Sequence, residues 1–155
     1  MVRVLVLAAC AALAVTALAG CGSTQSISKD EYADVVGNTR DRVDYALAQI
    51  TVGTGSLDEL IKRMNDAADS IDEAANDLEG AGVAKGFDDE TSDLVDAFHE
   101  LAAGLAGTAS DASQEGMEGL LTGSQALQFP GWNKANRVLA SLKEQGIAVE
   151  PIESH

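Results

Sequence analysis

The chain has 155 residues, with 25 acidic side chains against 10 basic ones, a formal net charge of −15 and only 4% aromatics. So acidic a surface makes nucleic acid and anionic lipid headgroups poor partners. With so few rings, a core must be assembled from Ala, Leu, Val and Ile, which favours closely packed helices.

The N-terminus sets the frame. Arg3 precedes an uncharged run of sixteen residues, Val4 to Ala19, which closes on Leu18-Ala19-Gly20-Cys21. A short basic region, an apolar run and small residues before a cleavage point are the parts of a secretion signal. The run falls slightly short of the roughly 20 residues that a permanent spanning helix needs. An uncleaved anchor helix and simple secretion with a free thiol are the alternatives. Leu18-Ala19-Gly20-Cys21 resembles the lipobox of bacterial lipoprotein precursors. That resemblance implies cleavage before Cys21, a thioether-linked diacylglycerol on its sulfur as the only covalent group, and a lipid-anchored chain on the extracytoplasmic face of a bacterial membrane. Two acyl chains hold where one binds reversibly. Residues 1–20 then form the signal peptide, and loss of Arg3 takes the net charge from −15 to −16. Cys10 leaves with the leader and Cys21 carries the lipid, so no disulfide can form in the mature chain.

Residues 21–27 read as a lipidated tether. Ser28-Lys29-Asp30-Glu31 then fits a capping box, with Ile27 and Tyr32 placed as its hydrophobic staple. Tyr32, Val36, Thr39, Val43, Ala46 and Ile50 follow at alternating spacings of 4 and 3, one apolar stripe on a helix that ends over Thr51 to Gly55. A second box, Ser56-Leu57-Asp58-Glu59, opens a helix striped by Leu57, Ile61, Met64, Ala68, Ile71, Ala75 and Leu78, with Gly80 as its expected C′ residue. Asp58 with Lys62 and Glu59 with Arg63 are expected i,i+4 pairs. Joined by a short Gly-rich turn, the two helices read as an antiparallel hairpin.

Asp88, Asp89 and Glu90 place negative charge where a third helix begins. Its stripe is Thr91, Leu94, Phe98, Leu101, Leu105 and Ala109, and beyond it Gly116 and Gly119 leave open a break or a fraying second piece. Thr122 to Gly131 reads as a connector, because Pro130-Gly131 argues against a helix crossing it. A last helix from about Trp132 to Gln145 carries Ala135, Leu139 and Leu142, stops at Gly146, and places Ile147 for a Schellman-type contact. It is the only basic helix, so it is expected beside the acidic ones. The expected fold is all-α, a four-helix up-and-down bundle over residues 28–147, with 148–155 a tail lying extended along it.

No nucleophile, base and orienter assemble from this composition, since only His99 and His155 are present and Cys21 is taken by lipid. The sequence therefore points away from an enzyme. The sharpest metal candidates are Asp96, His99 and Glu100, which share a helix face and would offer a divalent ion two or three ligands. A solvated acidic face is the plainer reading, as it is for Asp66, Asp69, Asp72, Glu73 and Asp77. Phe129 and Trp132 flank Pro130-Gly131 either as a partner contact or as a plug at one end of the bundle. Two functions remain in view. One is an interaction or scaffold module binding another envelope protein; the other is a solute- or cation-binding lipoprotein using its acidic faces.

Overall fold

Ser28 starts the first helix as the capping box requires. Its hydroxyl accepts from the Glu31 amide at 3.2 Å, and the Glu31 carboxylate accepts from the Ser28 amide at 2.9 Å. The computed structural model describes residues 26–53, 55–126 and 130–153. The proposed leader, Cys21, Phe129 and His155 lie outside them. Within the described residues the chain is predominantly helical: β1 (Ser26–Ile27), α1 (Lys29–Thr51), α2 (Leu57–Gly80), β2 (Val83–Ala84), α3 (Asp88–Glu115), α4 (Met117–Ala126) and α5 (Pro130–Glu144). No helix among them is long and apolar enough to cross a membrane.

The helices pack in sequence order around α3, which touches α2, α4 and α5, while α1 packs on α2. Cross-links give the directions. Arg42 meets Asp77 at 2.5 Å and Arg63 meets the Gln49 carbonyl at 3.1 Å, so α1 and α2 run antiparallel. His99 meets Asp72 while Glu79 lines a cleft with Asp88 and Thr91, and Lys134 meets Asp96 while Gln145 meets Glu90, so α2 and α5 each run antiparallel to α3. The helical stripes meet in one core in which Tyr32, Ile71, Leu94, Phe98 and Leu139 are among the most enclosed side chains.

Several local expectations change under tertiary contact. Gly80 stays inside α2 without a left-handed φ, and Ala81 caps the helix through its amide to the Leu78 carbonyl at 3.2 Å. Lys62 pairs with Asp66 at 2.5 Å rather than with Asp58, which is left in the first turn where the helix dipole favours an acid. α3 runs unbroken past Gly104 and Gly107 and breaks at Gly116, whose φ of 67° lets the chain reverse. α4 then extends to Ala126, well into the expected connector. Pro130 and Gly131 open α5 instead of preceding it, because a first-turn proline surrenders no helical hydrogen bond.

Gly131 also has a packing reason. A Cβ there would lie 2.5 Å from both the Ala97 carbonyl oxygen and the Leu101 amide nitrogen of α3. On α4, a Cβ at Gly123 would sit 3.0 Å from the Thr108 methyl, and one at Gly119 would overlap the Asp111 carbonyl. These glycines let α4 and α5 lie backbone-close along α3, one after the other and in the same direction.

α5 ends in a Schellman motif: the Ile147 amide donates to Leu142 at 2.9 Å, the Gly146 amide donates to Lys143 at 3.1 Å, and Gly146 has φ 87°. The chain beyond it remains part of the core, with Ile147, Val149 and Ile152 all buried. Asn136 of α5 accepts from the Ile152 amide at 2.8 Å. Arg40 of α1 donates to the Pro151 carbonyl at 3.1 and 2.7 Å. The tail is thus a strap that joins α1 to α5.

Candidate functional site

Two regions offer surface chemistry: the groove between α1 and α2, and the charged seam between α3 and its neighbours. The groove encloses about 470 Å³ and is open to solvent. Arg42, Tyr45, Ala46 and Gln49 form one wall, and Arg63, Asp66, Ala67, Ser70 and Glu73 form the other. The floor is shallow because Ala46 and Ala67, both buried, occupy the helix contact. Tyr45 stands over it 68% exposed. It lies off the apolar stripe of α1, so the packing that buries Val43 and Ala46 turns its ring outward.

The groove's upper end is braced. Arg63 donates to the Gln49 and Val52 carbonyls, covering acceptors at the C-terminus of α1, and it pairs with Glu59 at 2.7 Å. Glu59 also accepts from the Gly55 amide at 3.1 Å instead of returning to Ser56, so this box is completed one residue early. That backbone hydrogen bond and the Arg63 contact hold the Glu59 carboxyl below its ordinary range. Arg63 and Glu59, expected only as a pair along one helix, together close the α1–α2 turn.

The structure separates the three metal candidates by partner. Lys134 of α5 approaches Asp96 at 3.6 Å and Glu100 at 4.0 Å, while His99 Nδ1 lies 2.8 Å from Asp72 of α2. The first two carboxylates therefore face a cation, and the imidazole is tied to the opposite neighbour. Among the described residues no group of three or more His, Cys, Asp and Glu side chains gathers in a way that would hold a metal ion. Below this seam a cleft of about 440 Å³ places Lys134 and Arg137 of α5 against Asp89, Glu90 and Asp93 of α3. The basic helix thus lies on the acidic one, as charge relief requires.

Trp132 is half-buried and packed on the core. It follows Gly131, which meets α3 at Ala97 and Leu101, so it sits at the middle of α3 rather than at an end of the bundle.

The end bearing β1 is organised differently. Ser26 and Ile27 pair in parallel with Val83 and Ala84. Beneath them, the Tyr32 and Phe87 rings stand 5.4 Å apart and Lys29 Nζ lies 5.1 Å from the centre of Phe87. Thr91 donates its hydroxyl proton to the Phe87 carbonyl at 2.7 Å, so at the 2.7 Å contact between the hydroxyls Tyr32 is the donor. Burial pushes the Tyr32 hydroxyl above its ordinary range, Glu90 and Asp88 add to the effect, and the Thr91 contact opposes it.

Sequence reasoning missed the groove. The available signal was Tyr45, a large aromatic two positions from Val43 and so off the buried stripe. Comparison with known proteins returns no matching family model, no matching curated protein and no matching solved structure.

Proposed function

We propose that this chain is a lipid-anchored bacterial envelope lipoprotein whose helical domain is a non-catalytic interaction module for another envelope protein. Anchoring rests on Leu18-Ala19-Gly20-Cys21 with its upstream apolar run. In this reading α4 and α5 act as one interrupted rod, which gives the four-rod up-and-down arrangement expected of the sequence. The observation that carries the interaction role is the α1–α2 groove, where an exposed Tyr45 is bracketed by Arg42 and Arg63. Tyr and Arg dominate protein–protein hot spots because they bury large area with directional polar ends. The cation-binding alternative draws less support, since Asp96 and Glu100 face Lys134 and His99 faces Asp72.

The experiment is photo-crosslinking in intact cells from a reactive residue at Gln49, on the groove wall. The expected result is a discrete adduct that weakens strongly when Tyr45→Ala is added, with a reactive residue at Ser92 giving none. An adduct pattern indifferent to Tyr45, or no adduct above the Ser92 background, would remove the reading.

A further inference from the structure

The exit point of the chain restricts how such a domain is held. Residues 26 and 27 are pinned by their pairing with Val83 and Ala84, and Ile27 packs on the core. Four residues lie between Cys21 and Ser26, and the five steps from one to the other reach at most about 18 Å when fully extended. α1, with 23 residues, carries the chain about 35 Å from that point to the α1–α2 turn.

We propose that the domain meets the bilayer end-on, through the end formed by β1, β2 and the Lys85–Gly86 turn, with the α1–α2 turn farthest from the lipid. The proposal rests on the lipid-anchor reading and adds the orientation.

Charge supplies the second argument. A bundle tethered at one end lies down only if a flank is attracted to the surface. The α2 flank presents Asp66, Asp69, Asp72, Glu73 and Asp77, all exposed, against Lys62 and Arg42, and the α3 flank presents Asp93, Asp96 and an exposed Glu100 against Lys134, so both stay net negative. Anionic headgroups repel both within a Debye length of about 8 Å at physiological salt. The cationic flank, α5, has its charge engaged: Lys134 faces Asp96 and Glu100, Lys143 binds Glu150 at 2.6 Å, and Arg137 shares its cleft with Asp89, Glu90 and Asp93. Among the described residues the exposed large apolar side chains, Tyr45, Val52, Met117 and Leu121, all lie away from the β1 end. With Asp30, Asp88 and Asp89 beside Lys29 and Lys85, that end has no net attraction for headgroups either; the short tether keeps it lowest and the acyl chains do the anchoring.

The test uses the lipidated protein in vesicles containing phosphatidylglycerol and a headgroup-attached energy acceptor. Single thiols for a donor dye are introduced as Lys85→Cys and Val52→Cys. The expected result is a Lys85 label close to the headgroups and a Val52 label about 35 Å higher. Equal heights for the two labels would overturn the end-on arrangement while leaving the anchor intact. Failure of the unlabelled protein to float with the vesicles would instead overturn the anchor reading, and the orientation with it.

Discussion

The two ends of this molecule are held by different means. At the β1 end, large side chains and polar contacts interlock: the Ser28–Glu31 box, the Tyr32–Thr91–Phe87 cluster and the Schellman motif converge there, and the tail strap leaves from it toward Arg40 in mid-α1. Toward the other end α3 is covered by α4, whose contact residues include Gly119 and Gly123, and Met117 and Leu121 remain exposed. Close backbone approach replaces side-chain volume. An Ala- and Gly-rich chain can thus concentrate its anchoring interactions at the end where β1 precedes α1, and leave the remote half more lightly held. Such a half is where local opening is expected first.

The largest effect should come from the heavily built end. Phe87→Ala removes a ring that is 4% exposed and touches Tyr32, and is expected to cost about 3–5 kcal/mol in urea unfolding. A loss below about 1 kcal/mol would show that the cluster is not the brace claimed here. Next, Gly131→Ala forces a Cβ into the α3 backbone and should cost about 1–3 kcal/mol. Gly37→Ala, in open space within α1, should instead stabilise by about 0.5–1 kcal/mol. Equal effects from both glycines would deny the close approach of α5 to α3.

Tyr32→Phe is smaller still, about 1 kcal/mol at neutral pH, because Thr91 keeps its bond to the Phe87 carbonyl. It also changes the alkaline limb. A raised Tyr32 pKa means that its contribution is fully present below the unfolded value of about 10 and is lost as pH rises through the higher folded value. The Phe variant should lack that part of the decline in pH-dependent unfolding.

The smallest effects belong to Glu31 and Glu59. Their carboxyls are held low, Glu31 by the Ser28 amide and then its hydroxyl, Glu59 by the Gly55 amide and then Arg63. Each contributes stability above the unfolded value near about 4.3, which is lost as pH falls through the lower folded one. Glu31→Gln with Glu59→Gln should flatten the acid limb of the stability profile; an unchanged limb would contradict these cap geometries.

What the sequence made legible was local. The Ser28 cap, the apolar stripes of the first three helices and the Gly146–Ile147 stop each depend on residues within one or two turns, so spacing alone exposed them. What it hid was tertiary. Gly119 and Gly123 look like helix breakers until α3 is seen to need their missing side chains, whereas Gly116, with open space around it and a positive φ, does break the helix. Pro130 looks like a stop until its backbone is seen to begin a helix. The β1–β2 pairing joins residues 57 apart through backbone groups, which leave little compositional trace. The candidate set Asp96, His99 and Glu100 was chosen along one helix; Lys134 and Asp72, from two other helices, divide it. Tyr45 was visible as an outlier to its stripe, but the groove beneath it depends on how closely Ala46 and Ala67 let two helices approach.

The whole account of location and role turns on the state of residue 21, and mass spectrometry of the native protein reads that state directly. A chain beginning at Cys21 with a diacylglyceryl group on its Sγ is the predicted result; a free Cys21 thiol, or a leader still attached, would contradict it.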